Sequence, residues 1–299
     1  MENYKITMSL NLEGIITPTI TPIKNGEVDK EAVKALIEYL ESIKVNGIFP
    51  LGSTGCAPII SLADCKKVLD AFSKYINGML LLPGVGRNNL SETLELAKYA
   101  KDIGADAIVI VTPYYMKMDN ESIYKYYYSI LSSIDKPIIA YNIPQLTGNN
   151  LNYEVLMKLL NDFSNLVGLK DSSGNLSNFQ DYIINLPKNF KIFQGQDELL
   201  LSSLIIGASG GICGTTNFSN LAVDVYLNYK SGNFNKAKEL QEKLSRIKNY
   251  LSKKSFPQSY NASFYKLILK KNYTGACFPL RDLTIAEIDE IYEFIKQNN

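Results

Sequence analysis

The chain contains no histidine. That excludes a Ser-His-Asp triad, a Cys-His pair, an HExxH zinc site and a His-ligated metal aldolase. Acid–base chemistry is left to Tyr, Lys, Asp, Glu, Cys or water. Arginine is scarce: only Arg87, Arg246 and Arg281 occur, so a bidentate clamp for phosphate or carboxylate has few candidates. Charge of one sign is also missing. Thirty-one Lys and Arg oppose 30 Asp and Glu, which removes the basic footprint of a nucleic-acid or anionic-membrane binder. Cys56, Cys65, Cys213 and Cys277 are scattered without a CxxC pair, the pattern of buried reduced thiols rather than of a zinc site or a disulfide framework. Apolar runs such as Ala107–Val111 are far too short to span a bilayer. The opening MENYKITMSL lacks the cationic and apolar regions of a signal peptide, so a cytoplasmic protein is expected.

What is present suits one large α/β unit. The 299 residues, 46% of them hydrophobic, match one α/β barrel or two average domains and can bury a core without a staple. Short β-rich runs alternate with segments of helical period. The strands are expected at Gly14–Thr17, Gly47–Leu51, Met79–Pro83, Ala107–Val111, Pro137–Tyr141, Leu166–Leu169, Phe190–Phe193 and Gly210–Ile212. Asp29 is expected to cap a helix whose apolar face is Val33, Leu36, Ile37 and Leu40; Ser61 caps the next, and another begins near Ser91. Further helices are expected at about 120–132, 153–160 and 176–184. Beyond residue 232 the pattern is purely helical, at 235–251, 260–270 and 285–297. Eight strand–helix units close a parallel sheet into a (β/α)8 TIM barrel, here residues 1–232, with a helical extension at 233–299 packed on it as one structural unit. A doubly wound open sheet is the rival that periodicity alone leaves standing.

In such a barrel the chemistry sits at the C-terminal ends of the strands. Polar groups follow one apolar strand after another: Gly52-Ser53-Thr54-Gly55, Thr112-Pro113-Tyr114-Tyr115, Tyr141-Asn142-Ile143-Pro144, Lys170-Asp171-Ser172-Ser173, Gly195-Gln196-Asp197-Glu198 and Gly210-Gly211-Ile212. Lys170 is the sharpest of these, because an amine in apolar surroundings is kept from ionising and attacks carbonyl carbon. Taken by itself it reads first as a strand-end lysine that snorkels to water. Tyr141, one unit upstream, is the natural proton relay in a chain without histidine. The amides and hydroxyls of Gly52–Gly55 suit a small carboxylate or phosphate, although a plain turn with a helix cap has the same composition. Gly84-Val85-Gly86 is an incomplete dinucleotide fingerprint, with Asn89 in place of the third glycine. Asp197-Glu198 has no third ligand nearby in sequence, which favours capping or hydroxyl binding over metal.

In combination, GSTG, VTPYY, YNIP followed by TG, GLKDSSG and GGI resemble the dihydrodipicolinate synthase/N-acetylneuraminate lyase superfamily of pyruvate-dependent class I aldolases, over nearly the whole chain. The resemblance implies that Lys170 forms a Schiff base with a 2-keto acid and that Tyr141 relays protons. It implies that Ser53 and Thr54 hold the keto-acid carboxylate and link to Tyr141, and that Tyr115 completes a hydroxyl relay in a neighbouring subunit of a dimer-of-dimers tetramer. Ile143, Ser172, Gly195, Asp197, Glu198 and Ile212 would contact substrate. The protonated imine is itself the electron sink, so the resemblance implies no metal and no organic cofactor.

Departures from the family pattern narrow the substrate. Synthases carry an arginine where Leu146 stands, to bind the carboxylate of their aldehyde. Neuraminate lyases share the leucine, but they usually have Glu at the place of Cys56 and serine at that of Gly214. The Cys56-Ala57-Pro58 loop is similar to that of archaeal 2-keto-3-deoxygluconate aldolases. Members that also accept the 6-phosphate have an arginine where Met118 stands, beside Lys117. The implied reaction is cleavage of 2-keto-3-deoxygluconate to pyruvate and glyceraldehyde, with neuraminate lyase and 4-hydroxy-tetrahydrodipicolinate synthase as alternatives. A non-catalytic sugar-acid-binding barrel is the alternative outside enzymes.

Overall fold

The computed structural model describes residues 10–273, 275, 277 and 279–299, so the opening MENYKITMSL, expected to be no signal peptide, lies outside the described residues but for Leu10. The strands in chain order are β1 (Gly14–Pro18), the hairpin β2 (Ile23–Lys24) and β3 (Glu27–Val28), then β4 (Gly47–Phe49), β5 (Leu80–Leu81), β6 (Ile108–Val111), β7 (Ile138–Asn142), β8 (Leu166–Asp171), β9 (Lys191–Gln194) and β10 (Gly210–Ile212). All but the hairpin form one parallel sheet in the order β5-β4-β1-β10-β9-β8-β7-β6. A parallel bridge between Gly84 and Val109 joins the two outer strands, so the sheet closes into a (β/α)8 barrel and the open-sheet rival falls.

The barrel helices are α1 (Lys30–Ser42), α2 (Leu62–Tyr75), α3 (Leu90–Asp102), α4 (Asn120–Leu131), the single turn α5 (Pro144–Thr147), α6 (Tyr153–Asp162), α7 (Leu176–Asn185), α8 (Leu200–Ile205) and α9 (Leu221–Lys230). Then come α10 (Phe234–Leu251), α11 (Gln258–Leu267) and α12 (Ile285–Asn298). Asp29 and Ser61 cap α1 and α2 as their sequence predicts. Helix α3 begins one residue before Ser91, because Asn89 takes the cap and accepts from the amides of Ser91 and Glu92. No helix among the described residues is long and apolar enough to cross a membrane.

Each strand is apolar on both sides because helices cover the outside while side chains fill the inside. Ile16, Phe49, Val109, Ile139, Tyr141, Val167, Phe193 and Ile212 pack together inside the barrel. Their neighbours Ile15, Ile48, Ile108, Ile138, Ala140 and Ile192 pack outward under the helices. β8 breaks this alternation. Its register against β7 pairs Ile138 with Leu166 but Ile139 with Gly168, so Val167 is an extra residue in a β-bulge. Val167 points inward and Leu169, two residues on, points outward. The bulge shifts the alternation by one, and Lys170 falls in line with the inward residues Tyr141 and Phe193. Gly168 suits the bulge, since a Cβ there would lie 2.7 Å from the Lys191 carbonyl oxygen.

Candidate active site

Lys170 is inside a strand rather than just past its end, because β8 runs on to Asp171. It is 4% exposed, and its Nζ lies 4.2 Å from the centre of the Tyr141 ring and 4.9 Å from that of Phe49. Among the described residues it makes no ion pair. The two aromatic faces attract the ammonium form without consuming its lone pair once the proton leaves. The next residue faces the other way. The Asp171 carboxylate accepts from Asn142 Nδ2 at 2.8 Å and from Ser173 Oγ at 2.8 Å, and burial pushes its carboxyl above the usual range. These bonds tie the ends of β7 and β8 together behind the amine.

Lys170 opens into a cavity of about 230 Å³ whose wall includes Ser53, Thr54, Tyr141, Ile143, Ser172, Gly195, Asp197 and Ile212. Of the residues expected from sequence, only Tyr115 and Glu198 are absent from this wall. The Gly52–Gly55 turn is closed by the Gly55 and Ala57 amides on the Gly52 carbonyl and by the Cys56 amide on that of Ser53. The amides of Ser53 and Thr54 make no hydrogen bond among the described residues, which leaves two donors beside the cavity. No hydrogen bond links Thr54 to Tyr141 among the described residues, so the expected coupling between them is not made within this chain. Ser172 Oγ is buried and has no hydrogen-bond partner among the described residues. Gly195 leaves the space these groups occupy: a Cβ there would overlap Ser172 Oγ and come within 3.0 Å of Lys170 Cε.

Two acidic residues expected at the substrate have other partners. Asp197 lies on the wall, but its carboxylate accepts from the Gly214 amide at 3.1 Å, the Thr215 amide at 2.8 Å and the Thr215 hydroxyl. It anchors the exit of β10. Glu198 pairs with Lys248 at 3.5 Å, and Lys248 is what reaches the cavity. Tyr115 turns out of the mouth, 91% exposed and with φ +77°. That left-handed backbone is costly for a bulky residue. The glycines of Gly84-Val85-Gly86 serve close packing: a Cβ on Gly84 would strike the Leu51 carbonyl, and one on Gly86 would lie 2.8 Å from the Val111 amide.

Lys248, Leu251, Ser252, Phe256 and Tyr260 were not legible as site residues. Lys248 and Leu251 belong to α10, Tyr260 to α11, and Ser252 and Phe256 to the connection between them, with α10 lying against the Asp197–Leu199 turn. Nothing in their local pattern distinguishes them from an ordinary helix face. Gln145 and Gln196 were missed too. Both donate through Nε2 to the Ser172 carbonyl, at 2.7 and 2.8 Å, and so fix the loop that carries the Ser172 hydroxyl. A second, apolar lobe of about 290 Å³ shares Ser53, Tyr141, Ile143, Leu146 and Phe256 with the first and continues over Cys56, Pro58, Val111 and Leu280. Among the described residues no group of three His, Cys, Asp or Glu side chains could hold a metal ion.

Comparison with known proteins agrees with this geometry. The profile of the Dihydrodipicolinate synthetase family matches residues 11–298. The 2-dehydro-3-deoxy-D-gluconate/2-dehydro-3-deoxy-phosphogluconate aldolase of Picrophilus torridus is 41% identical over 261 residues, covering 87% of this chain and 96% of the relative. The 4-hydroxy-tetrahydrodipicolinate synthase of Methanopyrus kandleri is 36% identical over 241 residues, 79% of this chain and 80% of the relative. The solved structure of the 2-keto 3-deoxygluconate aldolase from Picrophilus torridus superposes with a TM-score of 0.87 at 39% identity, covering 91% of this chain and 98% of that one.

Proposed function

The chain belongs to the dihydrodipicolinate synthetase family and is a class I aldolase, and from that premise we propose that it cleaves 2-keto-3-deoxygluconate to pyruvate and glyceraldehyde through a Schiff base on Lys170. The observation that carries this is the side-by-side placement of Lys170 and Tyr141 on β8 and β7, amine over ring, inside the cleft. Neutral Nζ adds to the keto carbon. Tyr141 delivers a proton to the carbinolamine oxygen, which leaves as water, and the iminium remains. Loss of the C4 hydroxyl proton then breaks C3–C4; its electron pair moves into the iminium to give an enamine, and the aldehyde departs. Protonation of the enamine and hydrolysis release pyruvate and restore the amine. The free amides of Ser53 and Thr54 hold the carboxylate, Ile143 and Ile212 flank the pyruvate carbons, and Ser172 Oγ and the Asp197 edge face the sugar hydroxyls.

Leu146 and Gly214 support the sugar-acid reading. Leu146 gives the cleft mouth no guanidinium for the dicarboxylic chemistry of a synthase. A side chain at Gly214 would come within 2.8 Å of the Tyr260 ring, so the serine of neuraminate lyases does not fit. Lys248 is neutralised by Glu198, and Met118 brings no charge, which favours the unphosphorylated acid. Tyr115, displaced from its own cleft, serves a neighbouring subunit in the tetramer we propose, and the enzyme is placed in the cytoplasm.

Borohydride reduction with pyruvate, followed by peptide mass mapping, tests the mechanism. The adduct is expected on Lys170, and its absence there would sink the Schiff-base reading. Lys170→Ala should abolish trapping and cleavage. Tyr141→Phe should keep trapping while turnover drops by about 10²–10⁴-fold. A panel of ketodeoxygluconate, its 6-phosphate, N-acetylneuraminate and the synthase substrates decides the substrate.

A further inference from the structure

Arg246 lies in α10 and Arg281 just before α12, which leaves Arg87, in the loop from β5 to α3, as the one arginine of the barrel loops. Two helices hold its backbone: the Arg87 amide donates to Thr93 Oγ1 at 3.0 Å, and its carbonyl accepts from the Tyr126 hydroxyl at 2.9 Å. Its side chain is 14% exposed, and Nε donates to Glu92 Oε2 at 2.7 Å. On the other side Nη1 donates to the Ile60 carbonyl at 3.3 Å and the Ala57 carbonyl at 3.5 Å, with the Cys65 sulfur at 3.7 Å. Only a planar guanidinium keeps these two directions fixed relative to each other. The residues it grips continue the Gly52–Gly55 turn. The Ala57 amide donates to the Gly52 carbonyl, and the Cys56 amide donates to that of Ser53. Those two carbonyls share their peptide groups with the amides of Ser53 and Thr54, the two unused donors beside the cavity. A trans peptide sets its N–H opposite its C=O, so fixing the carbonyls aims the amides. Engaging each carbonyl also polarises its N–H into a better donor.

We propose that Arg87 is a positioning residue for the keto-acid carboxylate: braced by Glu92, it holds the Ala57 and Ile60 carbonyls and so keeps the Ser53 and Thr54 amides converged on the cleft. Arg87 lines neither lobe of the cleft, so it acts through the turn and not on the substrate itself. Its bonds to the two carbonyls are charge-assisted, which makes them stiffer than the neutral bonds that close the turn. Without the guanidinium the Ala57 peptide is released, its amide lets go of the Gly52 carbonyl, and the two donors spread over a wider range of directions. The carboxylate is then bound less tightly. Lys170 and Tyr141 keep their places, because β8 and β7 pair with neither β4 nor β5. This inference rests on the reading of the turn as the carboxylate site.

The test is borohydride trapping on the full-length protein with pyruvate and with acetone, which has the keto carbon but no carboxylate. Arg87→Met keeps the apolar stem of the side chain. It should raise the half-saturating pyruvate concentration by roughly tenfold, with the trapping rate at saturating pyruvate and the rate with acetone unchanged. Arg87→Lys keeps the charge without the fork and should fall between the two. Glu92→Gln leaves the guanidinium but loosens its brace, and should shift pyruvate in the same direction by less. An unchanged half-saturation in Arg87→Met overturns the proposal. So does an equal loss with acetone, which would mark damage to the amine rather than to the carboxylate site. Should Arg87→Met fail to fold, the same comparison on Arg87→Lys and Glu92→Gln decides. The parent protein is read first: no adduct on Lys170 strikes the aldolase reading and this inference with it, whereas a normal adduct with unmoved variants strikes the role of Arg87 alone.

Discussion

At the scale of the residue, position 195 shows how tightly the site is built. Gly195 leaves room for the stem of Lys170 and for the Ser172 hydroxyl, and a methyl there meets both. Gly195→Ala should fold with a loss of about 1–3 kcal/mol from overpacking. It should also lower kcat/KM by about 10²-fold through misplacement of the amine. Thermal melts and the rate of borohydride trapping measure the two effects separately, and unchanged trapping would show that the amine tolerates the methyl. Lys170, Tyr141, Ser53 and Thr54 were legible from sequence because polar side chains after apolar runs stand out. Asp197 was legible as a residue of the cleft, but its bonds to the Gly214 and Thr215 amides were not, since a carboxylate that anchors two amides reads in sequence the same as one that does not. Lys248 and Tyr260 were illegible because their approach to the cleft depends on how α10 and α11 fold back over the mouth.

At the scale of the element, helix starts were predictable wherever a single capping residue was available. Ser91 lost to Asn89 because both can cap and the asparagine reaches two amides. The two-residue hairpin β2–β3 is too short for any periodicity to reveal. The last helix has a complete capping box: Thr284 Oγ1 accepts from the Glu287 amide, and the Glu287 carboxylate accepts from the Thr284 amide. Thr284→Ala should cost about 1 kcal/mol. The Arg281 ion pair and the Thr284 amide hold Glu287 at about 2, below its ordinary 4.5. Since the folded value is the lower one, its stabilisation is complete above about pH 4.5 and vanishes as the pH falls through 2. Helix α12 should therefore fray in acid over that window. Hydrogen exchange at 285–289 against pH measures this, and Glu287→Gln should flatten the profile.

At the scale of the whole molecule, the barrel and its extension make the cleft together, and Tyr115 stands exposed outside it. Sedimentation should find a tetramer, and Tyr115→Phe should lower turnover although the ring stands outside its own cleft. Unchanged turnover would remove the shared relay. The eight strands were countable from sequence because each is a short apolar run between helices; the bulge was not, because strands buried on both sides carry no alternation in which a skipped beat would show. That skipped beat takes up one residue of chain without moving the reactive amine, because Gly168, Leu169 and Lys170 pair one for one with Ile139, Ala140 and Tyr141. Val167→Ala should leave an active enzyme, and deleting Val167 should give an unbulged ladder that keeps Leu169 outward and Lys170 opposite Tyr141. In a library of variants β8 should therefore accept both the substitution and the loss of residue 167, and an inactive deletion would show that the bend of the strand, rather than its register, aims the amine.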